Sequence, residues 1–296
     1  MSRPQAYVTN LELRESNPDG SEGAGLSHSS KGLFLLRVLE VASYGEPRGG
    51  ATLLHDAGDH GARYEELAHV LAADGWAVAL PDLRGHGGSE GERGHSWGFR
   101  EVARDVDAIL DHLAYRMPEG PEILIGQGVG GLQALAYAVE RPDRVAAVVL
   151  LSPLFEPRFR APEKKGGLKG LFQKLGPESQ GALGWTPAMR TSDAAEQRAL
   201  AADRAVHDVI TLRAVEAFSE TRVRAEGGLA ALKTPVLILH GADDPIADPA
   251  RSRALARPGV EVRVRAGEKH DLLHDRGASE VMQDVRAWID ARVPRG

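Results

Sequence analysis

Three stretches of the chain carry residues whose types and spacing could do nucleophilic chemistry. In EILIGQGVGGLQALAYAVERP, residues 122–142, an apolar run leads into a glycine-rich turn and then a helical pattern. That succession lifts the central residue of the turn above the end of a strand, where a hydroxyl, thiol or carboxylate could attack a carbonyl. The five turn positions are Gly126, Gln127, Gly128, Val129 and Gly130, so the centre is a glycine and supplies no nucleophile. PVLILHGADDPIADP places Asp244 just after an apolar run, where a carboxylate could orient an imidazole, and Asp248-Pro249 then reads as an N-cap and first helical residue. EVRVRAGEKHDLLHD places His270 on the loop after the last apolar run. Taken singly, Asp244 is ordinary turn chemistry and His270 an ordinary surface histidine. Taken with the turn, they form a triad in the order nucleophile, acid, histidine, with its first member missing.

Two look-alikes are set aside. Gly87-Gly88-Ser89-Glu90-Gly91 matches G-x-S-x-G, but no strand ends at Ser89 and no helix follows it, so Ser89 is not read as a nucleophile. HDAGDH at 55–60 has the look of a metal string without the central histidine of binuclear hydrolase motifs. No metal and no cofactor are expected.

The elements that must hold these residues are legible as short Val/Ile/Leu runs at 33–41, 51–55, 77–82, 122–127, 146–151, 235–240 and 261–266. Most are continuous rather than alternating, which suits strands buried on both faces of a parallel sheet. Helical patterns at 63–75, 99–116, 131–141 and 279–293 alternate with them. The expectation is a doubly wound, mostly parallel α/β sheet. Residues 1–31, polar and Gly/Ser-rich toward their end, read as a loose extension. Residues 153–232 interrupt the alternation and are too long for a structureless loop, so they read as an inserted helical cap. The α/β core is then 32–152 with 233–296.

Composition agrees with a soluble globular protein: of 296 residues, 42% are hydrophobic and 26% charged. With 36 basic and 42 acidic residues the net charge is −6, which gives no support to nucleic-acid binding. The absence of cysteine excludes disulfides and thiolate catalysis. No apolar leader-like run opens the sequence, so a cytoplasmic location is expected. One stretch departs from the acidic balance. RFRAPEKKGGLKGLFQKLG carries Lys164 and Lys165 beside Leu168, Leu171 and Phe172 at helical spacing. It reads as a short basic amphipathic cap helix, either packed on the domain or admitting lipid at a membrane surface.

Together, LLHDAGDHGARYEELAHVLAADGWAVALPDLRGHGGSEGERGH, the glycine turn, LHGADDPIAD and KHDLLHD resemble the monoacylglycerol lipase-like α/β-hydrolases, which include lysophospholipase-like and serine aminopeptidase-like sequences. The resemblance runs from about residue 33 to 292. It implies the α/β-hydrolase fold, oxyanion donors at the Ala57 and Val129 N–H groups, an acid at Asp244 and a base at His270. Two departures bear on the site. The family's His-Gly before the oxyanion residue is His55-Asp56 here, and its His-Ser at the elbow is Gln127-Gly128. The first change puts a carboxylate beside the place where an oxyanion would develop. The second deletes the nucleophile, whose removal costs a triad enzyme on the order of 10⁶ in turnover. The expectation is a non-catalytic or nearly non-catalytic relative that binds an acyl or other apolar ligand. The alternatives are an enzyme using Asp244–His270 as a general base, with Asp56 as a working group, or a lipase inactivated by a serine-to-glycine change.

Overall fold

The apolar runs become strands because both of their faces are covered. In the computed structural model, which describes residues 5–14, 33–117, 120–156 and 179–293, β3 (Gly49–Leu54), β5 (Glu122–Gln127), β6 (Ala147–Leu151) and β9 (Val236–Gly241) are buried at every position. They join β1 (Ala6–Arg14), β2 (Leu33–Val41), β4 (Trp76–Pro81) and β10 (Val260–Arg265) in one eight-stranded sheet of order β1-β2-β4-β3-β5-β6-β9-β10. From β4 to β10 every pairing is parallel, and β1 and β2 are added antiparallel.

Helices cover the two faces of this sheet. α1 (Glu65–Ala73) and α8 (Ala278–Arg292) contribute Leu67, Leu71, Val281, Val285 and Ile289 to one core, with Leu53, Ile125, Val149 and Leu239 from the strands. α2 (Phe99–Arg116) and α3 (Gly128–Glu140) contribute Val102, Val106, Leu132 and Leu135 to the core of the opposite face. This is the doubly wound arrangement that the alternating pattern requires, and in such sheets ligands bind at the carboxyl ends of the strands.

Two sequence expectations change. Residues 6–14, read as part of a loose extension, are an edge strand paired in register with β2, Ala6 opposite Val41. Leu11 and Leu13, two apart on one face, pack against a cluster holding Phe34, Leu36 and Val38, which is why this polar segment is ordered. The interruption at 153–232 is not wholly a cap. β7 (Gln180–Ala182) and β8 (Val209–Thr211) form a two-stranded ribbon, and α4 (Pro187–Arg190) and α5 (Ala194–Ala202) lie between them. The helix that follows, α6 (Leu212–Gly228), packs along α3 and places Ala225 in the same core as α2 and α3. It is the crossover helix between β6 and β9. α7 (Pro249–Arg253) opens as read from sequence, with the Asp248 carboxylate accepting from the Ala250 N–H and Pro249 at the first turn. Lys164, Lys165, Leu168, Leu171 and Phe172 lie outside the described residues.

Candidate active site

The chain delivers four groups to one end of the sheet. Asp56 follows β3, Gly128 follows β5, Asp244 follows β9 and His270 follows β10. The turn after β5 is tight. A Cβ at Gly126 would sit 2.3 Å from the Gly130 carbonyl oxygen, and one at Gly130 would sit 2.2 Å from that of Leu54, so the strand and the helix approach as only glycines allow. Gly128 itself has a φ of +53°, in the left-handed region, which glycine adopts without strain.

Asp244 is fixed from all sides. Its Oδ1 accepts from the N–H groups of Ile246 (2.7 Å) and Ala247 (3.0 Å). Its Oδ2 lies 2.7 Å from His270 Nδ1 and 3.1 Å from His240 Nε2. Burial acts to raise this carboxyl, but the charge of His270 and the two histidine hydrogen bonds overcome it and hold Asp244 well below the usual carboxylate range. His240 and Ser252, whose Oγ is 2.7 Å from His240 Nδ1, belong to this shell and were not singled out from sequence. The only signal was a histidine at the end of an otherwise apolar strand.

His270 bridges two carboxylates. Its Nε2 lies 2.9 Å from Asp56 Oδ2, so both ring nitrogens face acceptors, as suits an imidazolium. Burial works against the charge. The Asp244 charge and hydrogen bond, joined by those of Asp56, prevail and push His270 up to about 10.

The Asp56 carboxylate lies between the two N–H groups expected to serve as oxyanion donors. Oδ1 accepts from the Ala57 N–H and the Val129 N–H, each at 2.8 Å. The two donors expected to share an oxyanion therefore converge, and the oxygen between them belongs to the protein. Val129 N–H lies in the first turn of α3, whose N-cap residue Gln127 makes no side-chain cap, so Asp56 also satisfies an orphan helix donor and faces the positive end of the helix dipole. The room comes from Gly128. A Cβ there would fall 2.1 Å from Asp56 Oδ1 and 2.3 Å from its Cγ. The carboxylate thus fills the space that an elbow side chain would take, and the two sequence departures are one structural change.

Neighbouring groups hold this arrangement. Gln127 Nε2 donates to the His270 carbonyl oxygen at 2.9 Å. His55 Nδ1 donates to the Asp56 carbonyl oxygen, and its Nε2 accepts from the Leu83 N–H. Burial lowers the pKa of His55, which fits that single-proton tautomer. Behind His270, Asp271 meets Arg63 (2.9 Å) and Arg190 (3.3 Å), and both arginines also reach the buried Asp59. Arg190 comes from α4, so the loop carrying the histidine is tied to the cap. Ser89 lies outside the site: its hydroxyl donates to the Asp82 carbonyl oxygen and accepts from the Arg37 N–H.

Above these groups lie Ala57, Val129, Leu154, Leu183, Ile210, Phe218 and Ile246, one apolar cluster built from core and cap. One pocket reaches Asp56 along Leu83, Val129, Ile210 and Phe218, and a second reaches Ala57 along Leu183, Trp185 and Leu200.

Residues 45–277 match the family described as Serine aminopeptidase, S33. The chain belongs to this family. Mouse monoglyceride lipase is 27% identical over 266 residues, covering 84% of each chain. An uncharacterized abhydrolase domain-containing protein of Dictyostelium discoideum is 26% identical over 254 residues, which are 84% of this chain but only 27% of that one. Among solved structures, the monoacylglycerol lipase of Paleococcus ferrophilus superposes with a TM-score of 0.75 at 26% identity, over 87% of this chain and 99% of that one. The fold is thus that of the α/β-hydrolase lipases. Among the described residues no helix is long and apolar enough to cross a membrane.

Proposed function

We propose that this protein is a monoacylglycerol lipase-like α/β-hydrolase that does not hydrolyse esters by the serine route, and that it binds an acyl or other apolar ligand in the cavities under its cap. One observation carries the reading: the Asp56 carboxylate fills the oxyanion position and pairs with His270 where a serine hydroxyl would stand. A substrate carbonyl would find no attacking group on Gly128 and no free donor for its developing charge. The apolar cluster around Ala57 and Val129 supports retention of the ligand space.

The test is hydrolysis of a monoacylglycerol and an aryl ester by the unaltered protein, beside equilibrium binding of the same monoacylglycerol. Hydrolysis should stay within about 10³–10⁴ of the water reaction, the residue left to triad enzymes stripped of their catalytic groups. Binding should saturate. Turnover at the rate of a working lipase would end the first half of the proposal, and absence of saturable binding the second. The basic segment carrying Lys164 and Lys165 is proposed as a contact to anionic lipid; vesicle binding that does not weaken with salt would count against it.

A further inference from the structure

We propose that the pocket reaching Asp56 is a site for an aliphatic chain that carries a hydroxyl group, and that His86 and Gln133 recognise this hydroxyl. The site lies within the ligand space put forward above and depends on that reading, but it uses neither Asp56 nor His270.

From Gly128 to Ala136, α3 is glycine or apolar at every position except Gln133, and the whole stretch is buried. Gln133 stands one turn after Val129 on the same helix face, and both line the pocket. It is 6% exposed, and its Oε1 has no hydrogen-bond partner. A buried amide left without a partner is destabilising, a cost that an apolar residue of similar size would avoid. The second group is His86, on the loop after β4, which lines the same pocket. Its ring lies between those of His55 and His207, with centroids 5.0 Å and 4.7 Å away. Nδ1 donates to the Arg84 carbonyl oxygen at 2.9 Å, so the lone pair sits on Nε2, which is also buried and without a partner. Burial, and then the neighbouring His55 and His207, hold the pKa of His86 well below the ordinary value, so the ring stays neutral.

The charged groups of the same wall are already matched to one another. Arg84 donates to both oxygens of Asp105 at 2.7 Å and lies 3.6 Å from Glu101, whose Oε2 accepts from the Trp97 N–H. His86 and Gln133 offer neutral acceptors instead. A cation entering here would lose its hydration and meet only carboxylates that already have a guanidinium, so a neutral donor fits better. His86 Nε2 can only accept, whereas the Gln133 amide carries an acceptor beside a donor, and a hydroxyl can answer both. The rest of the wall includes Leu83, Val102, Ile210 and Ala214, which suits an aliphatic chain. An ether or a hydrocarbon of the same size would leave both acceptors buried and unpaired, and a site built this way rejects the analogue that lacks the O–H.

The experiment compares primary octanol with its isomer methoxyheptane, which has the same atoms but no O–H, and with octylammonium as the cationic control. Calorimetry on the unaltered protein should show the alcohol binding at least about tenfold tighter than the ether, and tighter than octylammonium. In protein carrying isotope-labelled histidine, the alcohol should shift the resonance of the unprotonated ring nitrogen of His86 and the ether should not. Gln133→Leu should cut the alcohol's advantage at least about threefold, with ether binding as the check that the pocket is intact. Equal affinities for alcohol and ether, tighter binding of octylammonium, an unmoved His86 resonance, or an undiminished preference in Gln133→Leu would each overturn the assignment. The resonance needs no variant, so a folding defect cannot imitate it. Saturable but equal binding of alcohol and ether removes the hydroxyl reading alone. Absence of binding by all three probes and by monoacylglycerol removes ligand binding under the cap with it.

Discussion

Gly128 and Asp56 exclude any simple reversion. A serine Cβ at 128 would land on the Asp56 carboxylate, so Gly128→Ser must drive that carboxylate out of the hole and away from His270. The single variant should therefore be less stable, by about 1–3 kcal/mol for a buried group that loses its partners, and should remain a poor esterase. Adding Asp56→Gly clears both the clash and the hole. The double variant should hydrolyse a monoacylglycerol at least about 10²–10³-fold faster than either single change, measured as initial rates on purified proteins. His270 yields a second prediction at this scale. Its folded pKa, about 10, lies above the ordinary value of about 6.5, so the stabilisation is complete below about pH 6.5 and disappears as pH rises toward 10. Thermal melts across that window should show the loss, and Asp56→Asn should flatten it. From the sequence, the places of Asp244 and His270 at one end of the sheet were legible because each follows an apolar run, and the side-chain-free turn because glycine holds its centre. The carboxylate's true seat was not legible. Side-chain direction at Asp56 depends on a contact 73 residues away with Val129 and one 214 residues away with His270, which no local pattern encodes.

Elements with both faces covered announced themselves as apolar runs, and 99–116 and 122–127 are the spans of α2 and β5. β1 was missed because an edge strand needs few inward apolar residues, here Ala6, Leu11 and Leu13, and leaves Tyr7 and Val8 exposed. α6 was assigned to the cap because the interruption before it hides the resumption of strand–helix alternation. β5 also carries an oddity at its far end. Glu122 is buried with neither carboxylate oxygen hydrogen-bonded, packed where a Cβ on Gly50 would collide with it. Burial raises its pKa to about 8, against a small opposing pull from Arg144. An acid whose folded pKa is raised takes stability away as pH climbs from about 4.5 to 8, since only the unfolded chain ionises freely there. Glu122→Gln should remove that slope and leave the protein more stable at pH 8, read from denaturant midpoints at pH 5 and pH 8.

Across the whole molecule, cap and core are joined by buried charge as well as by apolar packing. Asp59 and Asp271 from the core share Arg190 of α4 and Arg63, and burial, which would raise both acids, is outweighed so that both are held below the usual range. Removing Arg190 alone would leave the two buried carboxylates with Arg63 between them and His274 on Asp271. Arg190→Met should cost about 3–5 kcal/mol and speed proteolysis within α4 and α5. Asp59→Asn beside it should recover part of that loss. Such a variant should also affect ligand uptake, because Asp271 adjoins His270 and any movement of the cap that breaks the Arg190 contact tugs on the loop bearing the imidazole.

The carboxylate in the hole has a further consequence for how this protein can be found. Fluorophosphonates and boronates, the reagents by which serine hydrolases are catalogued, need a hydroxyl to bond and an empty anion pocket to fill. This chain offers neither, since Gly128 has no side chain and Asp56 Oδ1 holds both N–H groups. Intact mass should be unchanged after exposure to a fluorophosphonate, so surveys built on such probes would pass over the protein although its fold is that of their usual targets.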